Sequence, residues 1–339
     1  MNTNFVFAKR APFRSRFWWL ASVLFALCLV QKCHAQEFPM GEAFPRVNGS
    51  TSTILLGGLL AARAAGVDAQ LRRSMFSAAR SGLGQVEMTL PLTYDDKEVA
   101  RFSQLAMRNN HTGTHEAYAA LTGGKCDLIL VARPPSPSEA EDAKKASVTF
   151  EMRPIALDAF VMLGNLKNPV AGLTTAQIRA IYTGGTRLWR QVGGEDLPIR
   201  AFSRPRDSGS EELLDSFVLH GAKSGTFPAQ NRVSEMGQMI ERVAENRDAL
   251  GYSVFYFEQF MMPDPRLKLL SVDGIIPSRA SIADGSYPFA SPVLCVTRAD
   301  AKPTSGAVQL RDWLLSGEGQ QLVAQSGYVP APHATPPTK

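Results

Sequence analysis

Short apolar runs alternate with amphipathic stretches along most of this chain. Val47-Asn48-Gly49-Ser50-Thr51-Ser52-Thr53 leads into Ile54, Leu55, Leu56, Leu59, Leu60 and Ala61, which predicts a turn opening a buried helix. Residues 86–93 alternate as a half-buried strand does. His111-Thr112-Gly113-Thr114 precedes Ala117, Tyr118 and Leu121, the spacing of a second capped helix. Residues 126–132 form a short apolar run, as expected of a buried parallel strand, and Pro134, Pro135 and Pro137 end it. Residues 155–163 predict another strand. Thr174-Thr175-Ala176-Gln177 then makes a capping box for a helix with Ile178 and Ile181 on one face, stopped at Thr183-Gly184-Gly185.

Residues 197–202 are strand-like and run into Arg204-Pro205-Arg206-Asp207-Ser208-Gly209-Ser210. A helix begins at Ser234 with Met236, Met239, Ile240 and Val243 on one stripe. Residues 250–256 and 287–297 are the last strong strand candidates. Two short helical stretches follow near 310–315 and 319–324, and residues 333–339 read as a loose tail. Strands alternating with helices argue for α/β architecture, and no short-period repeat interrupts them.

The N-terminus breaks this pattern. Lys9, Arg10, Arg14 and Arg16 precede an apolar run over 17–30, and Cys33-His34-Ala35 places a small residue before Gln36. This layout predicts a cleavable signal peptide over residues 1–35 and an exported protein. The apolar run is short for a membrane span, so an uncleaved anchor is the lesser alternative. Phe25-Ala26-Leu27-Cys28 lacks the small residue a lipoprotein site would carry. The leader holds five basic residues and no acidic ones, whereas the chain of 339 residues has 36 Lys and Arg against 31 Asp and Glu. Without the leader the charge is balanced, so no basic surface for nucleic acid remains. What remains is long enough for two domains with their own cores. Cys126 and Cys295 also remain, each in an apolar run, and an exported compartment permits either a disulfide or two buried thiols.

Three turns share one chemistry. Gly49-Ser50-Thr51-Ser52, Thr112-Gly113-Thr114 and Ser208-Gly209-Ser210 each place hydroxyls and a glycine at a predicted helix start. First-turn amides have no acceptor inside their helix, and the helix dipole makes that end partly positive. With Arg204 and Arg206 beside the third turn, the set suits a small tetrahedral anion. Any one of them alone reads better as an ordinary Ser or Thr cap. Three in one α/β chain favour a shared site made of Ser50, Thr51, Thr112, Gly113, Thr114, Arg204, Ser208, Gly209 and Ser210.

Other chemistries lack their patterns. His111 and His115 are four apart, but Ala119 breaks H-E-x-x-H, so no metal is expected. There is no G-x-S-x-G elbow, and Gly123-Gly124-Lys125-Cys126 is not a phosphate-binding loop of the Walker kind. No catalytic residue and no cofactor are therefore expected. Trp189, Tyr252 and Tyr256 could line a cleft, but core packing is the default.

The chain resembles the PstS-like, phosphate-type substrate-binding proteins of ABC transporters. The resemblance rests on Asn168-Pro169-Val170-Ala171-Gly172-Leu173-Thr174, then Ile178, Ile181-Tyr182-Thr183-Gly184, Trp189 and Val192-Gly193-Gly194. It continues through Pro198-Ile199, the Arg204…Ser208-Gly209-Ser210 loop, Ala249-Leu250-Gly251-Tyr252, Gly319-Gln320-Gln321 and Ser326-Gly327-Tyr328-Val329-Pro330. It implies a type II periplasmic binding protein fold of two α/β lobes, each a mainly parallel sheet flanked by helices. The ligand cleft lies between the lobes. One lobe would be 45–153 plus 290–332 and the other 154–289, with the Ser50 and Thr112–Thr114 turns on the first and the Arg204–Ser210 loop on the second. It further implies a periplasmic monomer that binds phosphate or a related oxyanion, partners with ABC permease subunits, and turns Arg204 toward the anion.

One departure matters. Many relatives end the strand matching 127–132 in Ser or Asp, where this chain has Val131 and Ala132, followed by Arg133. A carboxylate there would accept the proton that hydrogen phosphate carries and sulfate lacks. Asp207 and Arg133 are further candidates, the former against a helix-capping role, the latter against a place outside the cleft. The alternatives are a PstS-like sensor or binding protein for another ligand, signalling to a membrane partner, and a phosphate-ester hydrolase. The missing metal and nucleophile patterns count against the hydrolase.

Overall fold

The computed structural model describes residues 37–73, 86–91, 93–225 and 228–331, so the leader and the 333–339 tail fall outside it. The chain opens with β1 (Val47–Gly49), a 3-10 turn (Thr51–Thr53) and α1 (Ile54–Ala65). Next come β2 (Gln70–Arg73), β3 (Val86–Thr89), α2 (Asp96–Ala106), α3 (Thr114–Thr122), β4 (Leu128–Val131) and α4 (Pro137–Lys145). The 16-residue strand β5 (Phe150–Asn165) leads to β6 (Gly172–Leu173), α5 (Thr175–Tyr182), β7 (Arg200–Ala201), α6 (Gly209–Leu214), α7 (Met236–Glu245), β8 (Ala249–Val254) and β9 (Leu267–Val272). The chain closes with α8 (Arg279–Ala283), β10 (Ala290–Arg298), α9 (Gly306–Leu314), α10 (Gly317–Gln325) and β11 (Val329–Pro330).

The nine-stranded sheet runs β1-β4-β10-β5-β8-β7, with β11 and β9 also on β5 and β6 on β9. The pairs β1–β4, β7–β8 and β6–β9 are parallel, as strands separated by helices should be. Every antiparallel pair of this sheet involves β5 or β10. The first part of β5, Phe150 to Ala159, pairs with β10, and from Phe160 onward it pairs with β8 and β9. One strand thus carries the ladder between two hydrophobic cores. The first core gathers Phe44, Leu56, Leu60, Leu128, Leu130, Val293 and Trp313, and the second gathers Phe160, Ile178, Trp189, Leu214, Met239 and Tyr252.

Several expected elements appear with shifted ends. The 197–202 strand shrinks to Arg200–Ala201 because Pro198 has no N–H to give the ladder. The 86–93 strand stops at Thr89, two residues before Pro91. Helices α2 and α4 bury little: α2 fully buries only Leu105, and α4 buries Glu139 and Ala143. Their capping boxes, Asp95 with Glu98 and Ser136 with Glu139, mark them instead. The Thr174–Gln177 box caps α5 as expected. Trp189 and Tyr252 are buried in the second core, and Tyr256 in the first. Cys126 and Cys295 are free, buried thiols, not a disulfide, and burial pushes the Cys126 thiol up to about 12. Among the described residues no helix is long and apolar enough to cross a membrane.

Asp158 sits where β5 changes partners, opposite Ser291. It is fully buried. Its Oδ1 accepts the amides of Tyr256 (2.9 Å) and Ala159 (2.8 Å), while Oδ2 has no hydrogen-bond partner among the described residues. Tyr256 stacks on Tyr328 with centroids 3.7 Å apart, and Tyr328 Oη donates to Ser52 O at 2.8 Å. The carboxyl at the crossing is therefore linked by packing to the turn after β1. Burial raises Asp158 from 3.8 to about 7, outweighing its two amide bonds. A raised acid favours the fold fully below about pH 4, and that contribution is lost as pH climbs to about 7. Three units correspond to roughly 4 kcal/mol at about 1.36 kcal/mol per unit. Melting temperatures of wild type and Asp158→Asn from pH 5 to 8 are expected to show wild type losing ground to the variant by several degrees. A pH-independent gap would contradict the buried-carboxyl account.

Candidate functional site

The ends of three helices meet at one cleft of about 860 Å³. It is lined by Ser50, Thr51, Thr112, Gly113, Thr114, Ala132 and Arg133 from the first side and by Arg204, Asp207, Ser208, Gly209 and Ser210 from the second. All nine residues proposed from the three turns line it, as do Arg133 and Asp207. Arg206 is exposed at its turn.

On the first side, Ser50 follows β1 directly. It precedes the 3-10 turn but makes no side-chain cap bond. Its hydroxyl instead lies 2.8 Å from Thr114 Oγ1 and accepts the Ala132 amide at 3.3 Å. Gly113 caps α3 with φ +110°, a conformation that favours glycine. Thr112 serves the frame more than the cleft: Asn48 Nδ2 donates to its hydroxyl at 3.0 Å, and its amide donates to Asn48 Oδ1 at 3.2 Å. His111 and His115 do not converge. His111 Nδ1 lies 3.4 Å from Thr53 Oγ1, with burial lowering its pKa to about 4, and His115 Nδ1 lies 3.1 Å from Glu139.

On the second side, Ser208 caps α6 by accepting the Glu211 amide at 3.3 Å, so the cap is Ser208 and Asp207 stays exposed at the cleft. Arg204 is held from several directions. Its backbone N–H donates to Glu211 Oε2 (3.0 Å) and Tyr252 Oη (2.8 Å), and Tyr252 Oη donates to Glu211. Its Nη1 donates to Ser210 Oγ at 3.0 Å and its Nη2 to Ser234 O at 2.6 Å. Ser208 and Ser210 Oγ thus each accept a protein donor, which leaves their hydroxyl protons to offer. Arg204 Nε is buried with no acceptor among the described residues. Burial lowers the Arg204 pKa, against Tyr252, Glu211, Glu235 and Asp207, which raise it. Burial likewise raises the Glu211 carboxyl, against the Tyr252 and Arg204 hydrogen bonds.

Arg133 lines the cleft at 4 % exposure, but its charge is committed. Nη1 and Nη2 grip Glu139 at 2.7 and 2.8 Å, and Nη1 also donates to Pro134 O. Burial would raise Glu139, yet Arg133 and the Ser136 amide hold it below the usual carboxylate range. The sequence does not reveal this pairing, although the Ser136–Glu139 capping box placed the carboxylate. It also missed Glu116, Ser234 and Glu235, which line the cleft, because no anion-type motif contains them.

The two sides touch. A Cβ on Gly209 would lie 2.5 Å from Thr114 Oγ1, so only glycine lets the second turn approach the first. Donors from both sides therefore surround one small space, the arrangement that dehydrates and holds an anion.

A family model described as a PBP superfamily domain matches residues 97–318, and the chain belongs to that superfamily. Protein SphX of Synechococcus elongatus is 26 % identical over 233 residues, covering 65 % of this chain and 68 % of that one. The phosphate-binding protein PstS of Bacillus subtilis is 28 % identical over 197 residues, covering 57 % of this chain and 60 % of its own length. An ABC-type phosphate transport receptor from Vibrio cholerae superposes with a TM-score of 0.58 at 20 % identity, covering 84 % of this chain and 98 % of that one.

Overpacking the Gly209–Thr114 contact gives a direct test. Gly209→Ala is expected to lower the melting temperature, in line with about 1–3 kcal/mol for an inserted methyl in a tight contact. The far-UV circular dichroism should not change. Adding Thr114→Ala should recover part of the loss, because the clash is chiefly with Oγ1.

Proposed function

We propose that this member of the PBP superfamily is an exported, non-catalytic solute-binding protein that captures phosphate or a similar tetrahedral oxyanion and presents it to an ABC importer. The observation that carries this reading is the meeting of Arg204 and the Ser208–Ser210 turn with Ser50 and Thr114 across a contact only glycine allows. The names of the relatives, a phosphate-binding protein and a phosphate transport receptor, support the ligand class and the transporter partner. On this reading residues 45–153 plus 290–332 form one lobe and 154–289 the other, with the anion between them. The 1–35 leader directs the chain to the periplasm, where it acts as a monomer.

Each part of the site has a task. Arg204 supplies the charge, and its free Nε supplies one buried donor. Ser50, Thr51, Thr114, Ser208 and Ser210 supply hydroxyls, and the first turns of α3 and α6 supply amides. Thr112 and Gly113 shape the α3 turn, and Gly209 lets the lobes meet.

Arg204→Ala is expected to weaken oxyanion binding by at least about thirtyfold, because removing one partner of a desolvated charge pair costs about 2 kcal/mol or more. Calorimetry on the mature protein with phosphate, sulfate, arsenate and molybdate measures this. A ligand at about 100 times its Kd should also stabilise the wild type by about 2.7 kcal/mol. If no oxyanion raises the melting temperature, or if Arg204→Ala binds as wild type does, this function is wrong.

A further inference from the structure

The cleft is larger than its anion pole. Its two sides already touch at Gly209 and Thr114, yet about 860 Å³ remains, within the range of about 300–1,000 Å³ typical of organic-ligand pockets. The remaining space has an apolar wall of Met236, Val254, Phe257, Met261 and Met262. That wall is continuous with the anion pole. Ser234, whose carbonyl takes Arg204 Nη2, stands two residues before Met236. Met262 reaches across to the start of α7, with its Sδ and Cε 3.5 Å from where a Cβ on Gly237 would lie. Methionine side chains adapt to substituents of varied shape.

Ala132 adds a second constraint. Its amide donates to Ser50 Oγ and its carbonyl accepts Ser291 Oγ at 3.0 Å, so its methyl is what it can offer the cleft. The carboxylates that line the cleft stand at other positions than Ala132. Asp207 and Glu235 face the Arg204 charge, and Glu116 folds back so that its Oε2 would lie 2.6 Å from a Cβ on Gly113. Inorganic phosphate at neutral pH always keeps a P–OH proton that wants an acceptor. A dianionic phosphonate or phosphomonoester has three acceptor oxygens and, in the fourth position, a substituent that wants an apolar neighbour.

We infer that the preferred ligand is an organic oxyanion, a phosphonate or phosphomonoester with a short apolar substituent. Its head would sit between Arg204, Ser50, Thr114 and the Ser208–Ser210 turn, and its tail along the methionine wall. This rests on the oxyanion reading above and names its ligand class.

Calorimetry on the mature protein with inorganic phosphate and with methyl-, ethyl- and propylphosphonate tests it. Affinity is expected to rise by up to about fourfold per methylene buried, the equivalent of about 0.8 kcal/mol each. Ethylphosphonate should bind more tightly than inorganic phosphate. Met262→Ala should flatten the dependence on tail length. Ala132→Asp, which introduces an acceptor, should reverse the preference toward inorganic phosphate. Inorganic phosphate binding as tightly as every phosphonate overturns the inference and leaves the oxyanion function standing. A tail dependence unmoved by Met262→Ala, or a preference unmoved by Ala132→Asp, also overturns it. Binding of none of the four compounds overturns the inference, and the oxyanion function falls with it if sulfate, arsenate and molybdate also fail to bind.

Discussion

The fold depends on one strand serving two ladders. Residues 150–159 of β5 complete the sheet of the first core, and residues 160–165 complete that of the second. Neither core can shift along this strand without breaking the other's register, since a one-residue slip would exchange the two faces of every paired residue. At the crossing a buried carboxyl, Asp158, accepts the backbone amides of Ala159 and Tyr256. The second of these bonds lets the chain leave β8 and pack Tyr256 into the other core.

The site inherits its precision from that crossing. Tyr256 stacks on Tyr328, and Tyr328 fixes the carbonyl of Ser52 in the first donor turn. The second donor turn is fixed from behind by Glu211 and Tyr252, which hold the Arg204 backbone from α6 and β8. Donors on both sides are thus positioned before any ligand arrives, which limits the ordering cost of binding. The two arginines illustrate how context divides identical chemistry. Arg204 is bound by a hydroxyl and a carbonyl and keeps its charge for the cleft, whereas Arg133 spends its charge on Glu139.

Much of this was legible along the chain. The apolar run ending at Val131, the Thr174–Gln177 box, the Ser208 cap and all three anion-type turns were visible because each rests on local rules of periodicity or capping. Helices α2 and α4 were not, because their burial is slight and only their caps announce them. The fate of Arg133 and the frame role of Thr112 were equally hidden. Each is decided by a partner that local periodicity does not identify, whether six residues away in Glu139 or 64 away in Asn48.

The sequence by itself determined the α/β alternation, the donor-rich turns and the methyl at Ala132, since backbone preference and side-chain chemistry are properties of the residues. Only the tertiary structure decided that three separate turns face one space, that Gly209 lies against Thr114, and that a methionine wall adjoins the donor turns. Those facts come from the register of β5 with β10 along its first part and with β8 and β9 along its second, a long-range pairing that no local pattern of residues encodes.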